Sequence, residues 1–447
     1  MTPPSAAPDR LRVLLLAEAC NPDWVSVPLE GWFHSRAIAG LAAAHLVTHR
    51  RNRENLLRAG LHESRDFTII GPTALEAPLG VVGRLLGASV RGNRGWTALT
   101  ALSTAAYYSY ERAVWRRFGA DVRARAYDVV HRLTPLTPAT PSPIARRCRR
   151  AGVPFVIGPL NGGLPWPRGF SHVRTAEREW LGFVRGAHKL LPGYRSTRAD
   201  ASAIIVGSRN AWLELPAEHR GKAVYVAENA VDPERFGAEV EEWAGLPLRV
   251  AFAGRIVPIK GVDMLLEAAA PLARAGTLRL DLVGEGPEVG ALRALAEREG
   301  IASAVDFAGW VAHRELQDRL RRSHVFGFPS IRDFGGGAVL EAMALGLVPV
   351  VIDYGGPGEL VSPGTGFAVP LGRRDEIVHG MRAVLERLVA DPSLVQAMSR
   401  RARARVRRSF TWAVKAAQVV EVYRFALGRR EKPDFGMPYR DPEEDAP

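Results

Sequence analysis

Cysteine is scarce: the 447 residues hold two, Cys20 and Cys148. Two cannot build a disulfide framework, so the chain reads as one suited to a reducing compartment, with both thiols acting as small buried hydrophobes. Long apolar runs are missing too. Val13–Ala17 has the length of a strand, and no segment reaches the roughly 18 uninterrupted apolar residues of a membrane span. The opening MTPPSAAPDR lacks the charged-then-apolar layout of a signal peptide, so a cytoplasmic location is expected. There is no zinc-finger spacing and no aromatic sheet motif of RNA binders, and no nucleic-acid partner is expected. No Asp-x-Asp and no histidine cluster offers a metal site. Low-complexity blocks and short-period repeats do not occur.

What is present is ordinary in bulk and unusual in charge. Apolar residues make up 47% and charged residues 24% of the chain, as in soluble globular proteins, and the length suits two or three domains. The net charge is +13. Phosphate-bearing substrates together with peripheral contact with an anionic membrane explain it most simply, and the scarcity of lysine beside arginine shows that compositional bias contributes. Val82, Leu85, Leu86 and Ser89 recur at helical spacing, with Arg84, Arg91 and Arg94 elsewhere. That suits either a helix lying on anionic lipid or a helix packed on a sheet. The run Arg400–Arg408 reads as a solvated helix face or an aid to membrane contact. The Pro- and acid-rich end reads as a disordered tail.

Strand-like and helix-like segments alternate. Strands are expected at Leu11–Ala17, Tyr127–His131, Val153–Gly158 and Ala203–Gly207, and again at Leu248–Ala253, Leu278–Val283, Val305–Gly309, His324–Pro329 and Val348–Asp353. This alternation predicts an α/β chain with parallel sheets covered by helices on both faces. Sites in such folds form at the carboxyl ends of strands. Three early places therefore stand out. Glu18–Trp32 is expected as a long loop holding Pro22, Pro28 and Gly31, with Glu30 and His34 beside it. His131 closes an expected strand. Asn161-Gly162-Gly163 forms a turn tolerant of positive φ, facing a ligand or serving packing alone.

The stretch from Ser323 to Glu359 is the most informative. Its helix, Ala338–Leu345, is apolar on every side except at Glu341, so the helix should be buried and something polar must meet that carboxylate. Asp333 stands eight positions earlier, before Gly335, Gly336 and Gly337. Glycines let backbone approach a ligand, and N–H groups at a helix N-terminus favour an anion. Upstream, Arg255 and Lys260 lie between Gly254 and Gly261 at a strand-to-helix turn, a pattern suited to gripping a diphosphate. Gly284-x-Gly286-x-x-x-Gly290 is one residue too wide for a dinucleotide fingerprint and encloses Pro287; it fits a loop approaching a nucleoside better. Hydroxyls for the carboxylates and phosphates for the amides describe a nucleotide sugar.

The spacing from Asp333 to Glu341, followed by Ala342-Met343-Ala344 and the strand Val348-Pro349-Val350-Val351, resembles the signature of retaining glycosyltransferase family 4, the group 1 glycosyltransferases. Ala227–Asp232 is similar to that family's crossing segment, Pro-Asn-Gly-Val-Asp, with Ala230 in place of Gly. The resemblance implies a GT-B fold of two Rossmann-like doubly wound domains facing across a crevice. Residues 1–228 would bind the acceptor and 229–411 the nucleotide sugar. Residues 412–430 would return to the first domain, leaving 431–447 as the tail. It further implies transfer with retention to an acceptor such as a lipid-linked or polysaccharide glycan, without metal or cofactor. Arg255, Lys260 and Gly335–Gly337 would hold the diphosphate, Glu341 the ribose, and Asp333, which replaces the usual Glu, the sugar. Gly284, Trp310 and Val311 would lie toward the nucleoside. His131 would touch the sugar or acceptor, and Gly31, His34, Asn161 and Gly162 would serve the acceptor side. The alternatives are a non-catalytic sugar-nucleotide binder on the same fold and a dinucleotide-dependent oxidoreductase.

Overall fold

A computed structural model describes residues 10–71, 96–171, 173, 187–238, 240, 243, 245–312 and 315–436. It divides into two compact units. One comprises Met1–Gly163, Arg178–Glu228 and Trp412–Gly436; the other comprises Leu164–Glu177, Asn229–Thr411 and Met437–Pro447.

The first unit is built on seven strands: β1 (Arg12–Ala17), β2 (Ala43–His49), β3 (Phe67–Ile70), β4 (Val129–Thr134), β5 (Phe155–Leu160), β6 (Ala203–Val206) and β7 (Ala223–Tyr225). They form a parallel sheet in the order β3-β2-β1-β4-β5-β6-β7. A parallel sheet covered on both faces reads as unbroken apolar sequence, and β1 is buried from Val13 to Ala17. Strand order reverses between β1 and β4, which places a switch point there.

Two expectations are corrected in this unit. Glu18–Trp32 is not loop throughout, because a helix runs from Val27 to Leu41. Pro28 stands in its first turn, where the missing N–H has no partner to lose. Gly31 lies inside that helix, and a Cβ on it would come within 2.2 Å of the Ala19 carbonyl oxygen. Gly31 therefore lets the helix press against the β1 loop rather than forming a turn. His131 is also not at a strand end, because β4 continues through Arg132, Leu133 and Thr134. Arg132 is fully buried, its guanidinium donating to Thr140 O at 2.7 Å and Pro135 O at 2.9 Å. Arg132 is thus an interior residue whose two terminal guanidinium nitrogens find acceptors while its buried Nε has none among the described residues.

The last helix, Trp412–Ala426, buries Trp412, Lys415, Ala416, Val419, Val420, Val422 and Tyr423. That spacing is one stripe of a helix. Val419, Val422 and Tyr423 join the same core as Val13, Leu15 and Leu46, which is why this helix belongs to the first unit.

The second unit has six strands: β8 (Leu248–Ala253), β9 (Leu278–Val283), β10 (Val305–Gly309), β11 (Val325–Phe328), β12 (Val348–Asp353) and β13 (Phe367–Pro370). Their parallel order, β10-β9-β8-β11-β12-β13, reverses between β8 and β11. The segment after Gly163 is held within this unit: Arg332 Nε donates to Leu164 O at 3.1 Å, and the Tyr354 hydroxyl to Pro165 O at 2.6 Å. Each unit is thus a Rossmann-like α/β domain, as the alternation predicted.

Among the described residues, no helix is long and apolar enough to cross a membrane. The segment Val82–Ser89 with Arg84, Arg91 and Arg94 lies outside the described residues, as does 437–447 of the expected tail.

The loops after β8 and β9 lie backbone to backbone. Gly254 N donates to Val283 O at 3.0 Å, Ile256 N to Glu285 O at 2.8 Å and Gly284 N to Gly309 O at 2.8 Å. A Cβ on Gly284, whose φ is +140°, would meet Gly254 O at 1.9 Å. The absent side chain is thus used by protein backbone. Gly284→Ala should destabilise the protein by about 2–4 kcal/mol, read as a lower urea midpoint. An unchanged midpoint would refute this packing.

Candidate functional site

In the second unit, the loops after β8 and β11 meet at the switch point. Gly261 makes this possible: its φ is +61°, and a Cβ there would lie 2.5 Å from Pro329 O. The two loops are then tied by Ile331 N to Ile259 O at 3.0 Å and by Ser330 Oγ to Ile259 O at 3.2 Å. Lys260 is pulled across this seam. Its Nζ pairs with Asp333 Oδ2 and lies 4.8 Å from the Phe328 ring centroid. Asp333 Oδ1 accepts the Gly336 N–H at 2.9 Å. Two residues expected to hold different parts of a ligand are therefore partners of each other here. Burial pushes the Asp333 carboxyl up, but the Lys260 ammonium and the Gly336 and Gly335 N–H groups outweigh it and hold the group below its usual value.

Gly336 caps the helix Gly337–Leu345 with φ +67°, and a Cβ on it would come within 2.9 Å of Leu360 Cδ1. Only glycine fits there without strain. Val339, Leu340 and Ala342–Leu345 are buried, whereas Gly337, Ala338 and Glu341 are half-buried. The expectation of a buried Glu341 is corrected. Residues 337 and 341 share one side of the helix, and that side is the more open one.

Arg255 is exposed and makes no ion pair among the described residues. Trp310, directly after β10, is 71% exposed, and Val311 is half-buried. The unit thus presents an exposed guanidinium, an ammonium held on a carboxylate, and a glycine-capped helix N-terminus with a carboxylate one turn inside. Such an arrangement can neutralise a polyanion and accept hydroxyl protons beside it.

In the first unit, His34 and His131, the two histidines singled out from the sequence, are interior. His131 accepts the Tyr423 hydroxyl on Nδ1 at 2.7 Å and donates from Nε2 to Gly158 O at 2.8 Å. Burial pulls its pKa down to about 3. With both nitrogens engaged and no exposed surface, it is a structural residue, and the expected sugar contact is withdrawn. His34 is buried too. Its Nε2 meets Glu228 O at 3.1 Å, and its pKa is lowered to about 3 by burial and then by the Lys415 charge.

Asn161 donates from Nδ2 to Glu228 Oε2 and accepts the Gly162 N–H at 2.7 Å. Gly162 has φ +121°, and its carbonyl accepts Asn210 Nδ2 at 2.9 Å. His34, Asn161 and Gly162 are thus brought together around Glu228. Neither Glu228 nor Lys415 was singled out from the sequence. Lys415 carried a signal, since a charged residue stands three positions after Trp412 on an apolar stripe. Glu228 carried none.

Residues 238–405, within the second unit, match the family model for glycosyl transferases group 1. This unit is a group 1 glycosyl transferase domain. The resemblance read from the Asp333–Glu341 stretch points to the same family. Similar proteins include the alpha-D-kanosaminyltransferase of Streptomyces kanamyceticus, 30% identical over 218 residues, covering 47% of this chain and 55% of that protein. The D-inositol 3-phosphate glycosyltransferase of Rhodococcus opacus is 37% identical over 186 residues, covering 40% and 41%. The chain spans about half the length of the curated relatives it matches. Among solved structures, sucrose-phosphate synthase from Thermosynechococcus elongatus superposes with a TM-score of 0.61 at 17% identity, covering 94% of this chain and 100% of that one. Anabaena HepE in complex with UDP and glucose gives 0.55 at 17% identity, covering 92% and 99%. These likenesses speak to the fold, which is GT-B with two Rossmann-like domains.

A buried neutral histidine carries a sign for acid stability. The unfolded chain takes up a proton near the ordinary value of 6.5, while the folded protein resists until about 3. Stability should therefore be full above about pH 6.5 and fall as the pH drops toward 3, by about 1.4 kcal/mol per pH unit for each histidine. His131→Gln keeps hydrogen-bonding capacity without titrating. Its acid slope, followed by chemical denaturation at stepped pH, should be shallower than that of the wild type. Equal slopes would show that His131 is not held neutral.

Proposed function

We propose that the chain is a retaining glycosyltransferase, moving a sugar from a nucleotide-diphosphate donor to a hydroxylated acceptor such as a lipid-linked or polysaccharide glycan. The observation that carries this reading is the meeting, at the β8/β11 switch point, of Arg255, Lys260, Asp333, the Gly336 cap and Glu341 within a group 1 unit. The names of its relatives support the reaction class.

In this reading, Arg255, Lys260 and the Gly335–Gly337 amides take the diphosphate. Glu341 takes the ribose hydroxyls, and Asp333 faces the sugar while holding Lys260. Trp310 and Val311 lie toward the base. As the glycosidic bond breaks, negative charge grows on the leaving diphosphate, where cations and amides stabilise it most. The acceptor hydroxyl attacks from the face that the leaving group vacates, and a leaving phosphate oxygen takes its proton. Retention follows from that approach, with neither metal nor cofactor. His131 has no part in it. The net charge also favours peripheral contact with an anionic membrane; salt-insensitive behaviour, or no pelleting with anionic vesicles at low salt, would refute that contact.

A thermal-shift screen of UDP-, GDP- and ADP-sugars should give a positive shift with one base class, since a ligand of the native state raises its melting temperature. UDP-sugars come first, because UDP is bound in the HepE structure. Turnover of the same donor should survive chelation by EDTA, and the product should keep the donor's anomeric configuration by NMR. Binding without turnover or donor hydrolysis supports the non-catalytic alternative instead.

Lys260→Ala should weaken donor affinity roughly ten- to a hundredfold, the loss of a charge-assisted hydrogen bond worth about 1.5–3 kcal/mol. Asp333→Asn keeps an acceptor for Gly336 while freeing the ammonium. It should strengthen binding of the bare nucleoside diphosphate yet slow sugar transfer. Calorimetry on the two variants separates the roles, and equal weakening in both would sink them.

A further inference from the structure

Lys415 is 1% exposed, and its Nζ has no hydrogen-bond partner. It sits on the apolar stripe of the Trp412–Ala426 helix, between Trp412 and Val419. A buried charge pair is often less stabilising than well-packed apolar groups of the same volume, so packing alone gives no reason for an amine there. The groups acting on it come from two neighbouring segments. Glu30 and His34 lie on the Val27–Leu41 helix, and Glu228 follows β7. Burial pulls the Lys415 pKa down to about 7, while Glu30 and Glu228 raise it. His34 is neutral and does not compete.

Glu228 is half-buried and fixed on several sides. Its N–H donates to Gly207 O at 3.2 Å, its carbonyl meets His34 Nε2 at 3.1 Å, and its Oε2 accepts Asn161 Nδ2. A Cβ on Gly207 would lie 3.1 Å from the Glu228 Cβ, so the glycine admits this placement. A carboxylate that is held still, partly open to solvent and backed by a buried ammonium suits the acceptance of hydroxyl protons. Two carboxylates around one ammonium also leave the local balance negative, which disfavours a phosphorylated ligand.

We propose that Glu228 binds a hydroxyl of a neutral polyol or sugar acceptor, and that Lys415 is the positioning residue holding its carboxylate ionised. The proposal rests on the glycosyltransferase reading and adds the acceptor's chemical class to it.

The test uses the full chain, the donor identified by the screen, and glucose, trehalose, myo-inositol and an inositol monophosphate as acceptors. The wild type should use a neutral acceptor in preference to the phosphorylated one. Glu228→Gln should raise the KM for that acceptor about tenfold or more, with a smaller change in kcat and no change in donor affinity; Glu228→Asp should recover part of the loss. Lys415→Met should melt no lower than the wild type, yet move the acid limb of acceptor kcat/KM upward by about one pH unit, because Glu228 then protonates more readily. If that variant does not fold, Lys415→Gln replaces it with the same expected shift. An unaltered acceptor KM in Glu228→Gln, an unmoved acid limb in the Lys415 variant, or preference for the phosphorylated acceptor overturns the proposal alone. A wild type that neither binds nor turns over any nucleotide sugar overturns the enzyme reading and this proposal with it.

Discussion

The second unit depends on an ion pair between residues 73 positions apart. Lys260 and Asp333 are each mostly shielded from solvent. Either charge alone would be expensive to hold in that place, so each needs the other. The pair closes a seam already drawn by Gly261 against Pro329 and by Ile259 O, which accepts from both Ser330 and Ile331. One carboxylate thereby performs two tasks, since it also accepts the first N–H of the helix cap. An anion arriving at the glycine cap meets a lysine already held by a carboxylate, so a ligand bound there shares the ammonium with an existing contact. This makes the site's affinity a difference between two electrostatic states.

The first unit solves a different problem. The loop after β4, Pro135–Pro143, contains four prolines, each a residue that accepts hydrogen bonds but cannot donate one. Its carbonyls need donors from elsewhere. Arg132 serves Pro135, Thr137 and Thr140, and Arg198 serves Pro138 at 2.6 Å. Both arginines are buried. Glu111 completes the set, accepting from the Ser142 hydroxyl and from Ile144 N at 3.0 Å. The loop at the carboxyl end of a central strand is thus held by side chains reaching from β4 and from two helices, which gives it definition without a ladder of its own.

Legibility in the sequence followed the range of the physics. Strands buried on both faces announced themselves as apolar runs, so β1, β8 and β12 could be placed within a residue or so. The Asp333–Glu341 stretch was readable because its acid, glycines and apolar helix are neighbours in sequence. What failed was reading a residue type as punctuation. Pro28 and Gly31 look like breakers, yet a proline in a first turn and a glycine pressed on Ala19 are both compatible with helix. His131 looked like a strand terminus, and the strand runs on through Thr134. Gly284 looked like room for a ligand, and the room is occupied by Gly254. Pairings such as Lys260 with Asp333, or Asn161 with Glu228, leave no local trace, because each partner is also an ordinary surface residue by type.

These misreadings share a cause that bears on the acceptor side. Histidine, asparagine and glycine near the carboxyl ends of strands were taken as ligand-facing because their side chains are polar or absent. In the folded unit, His131 spends both nitrogens on Tyr423 and Gly158 O, His34 Nε2 meets Glu228 O, and both rings are buried. Asn161 holds the Glu228 carboxylate and His34 meets the carbonyl of the same residue, and near it stands an amine with no hydrogen-bond partner. A neutral imidazole shields this pair without adding charge to it. His34 and Asn161 thus act on Glu228 itself, one through its carbonyl and the other through its carboxylate.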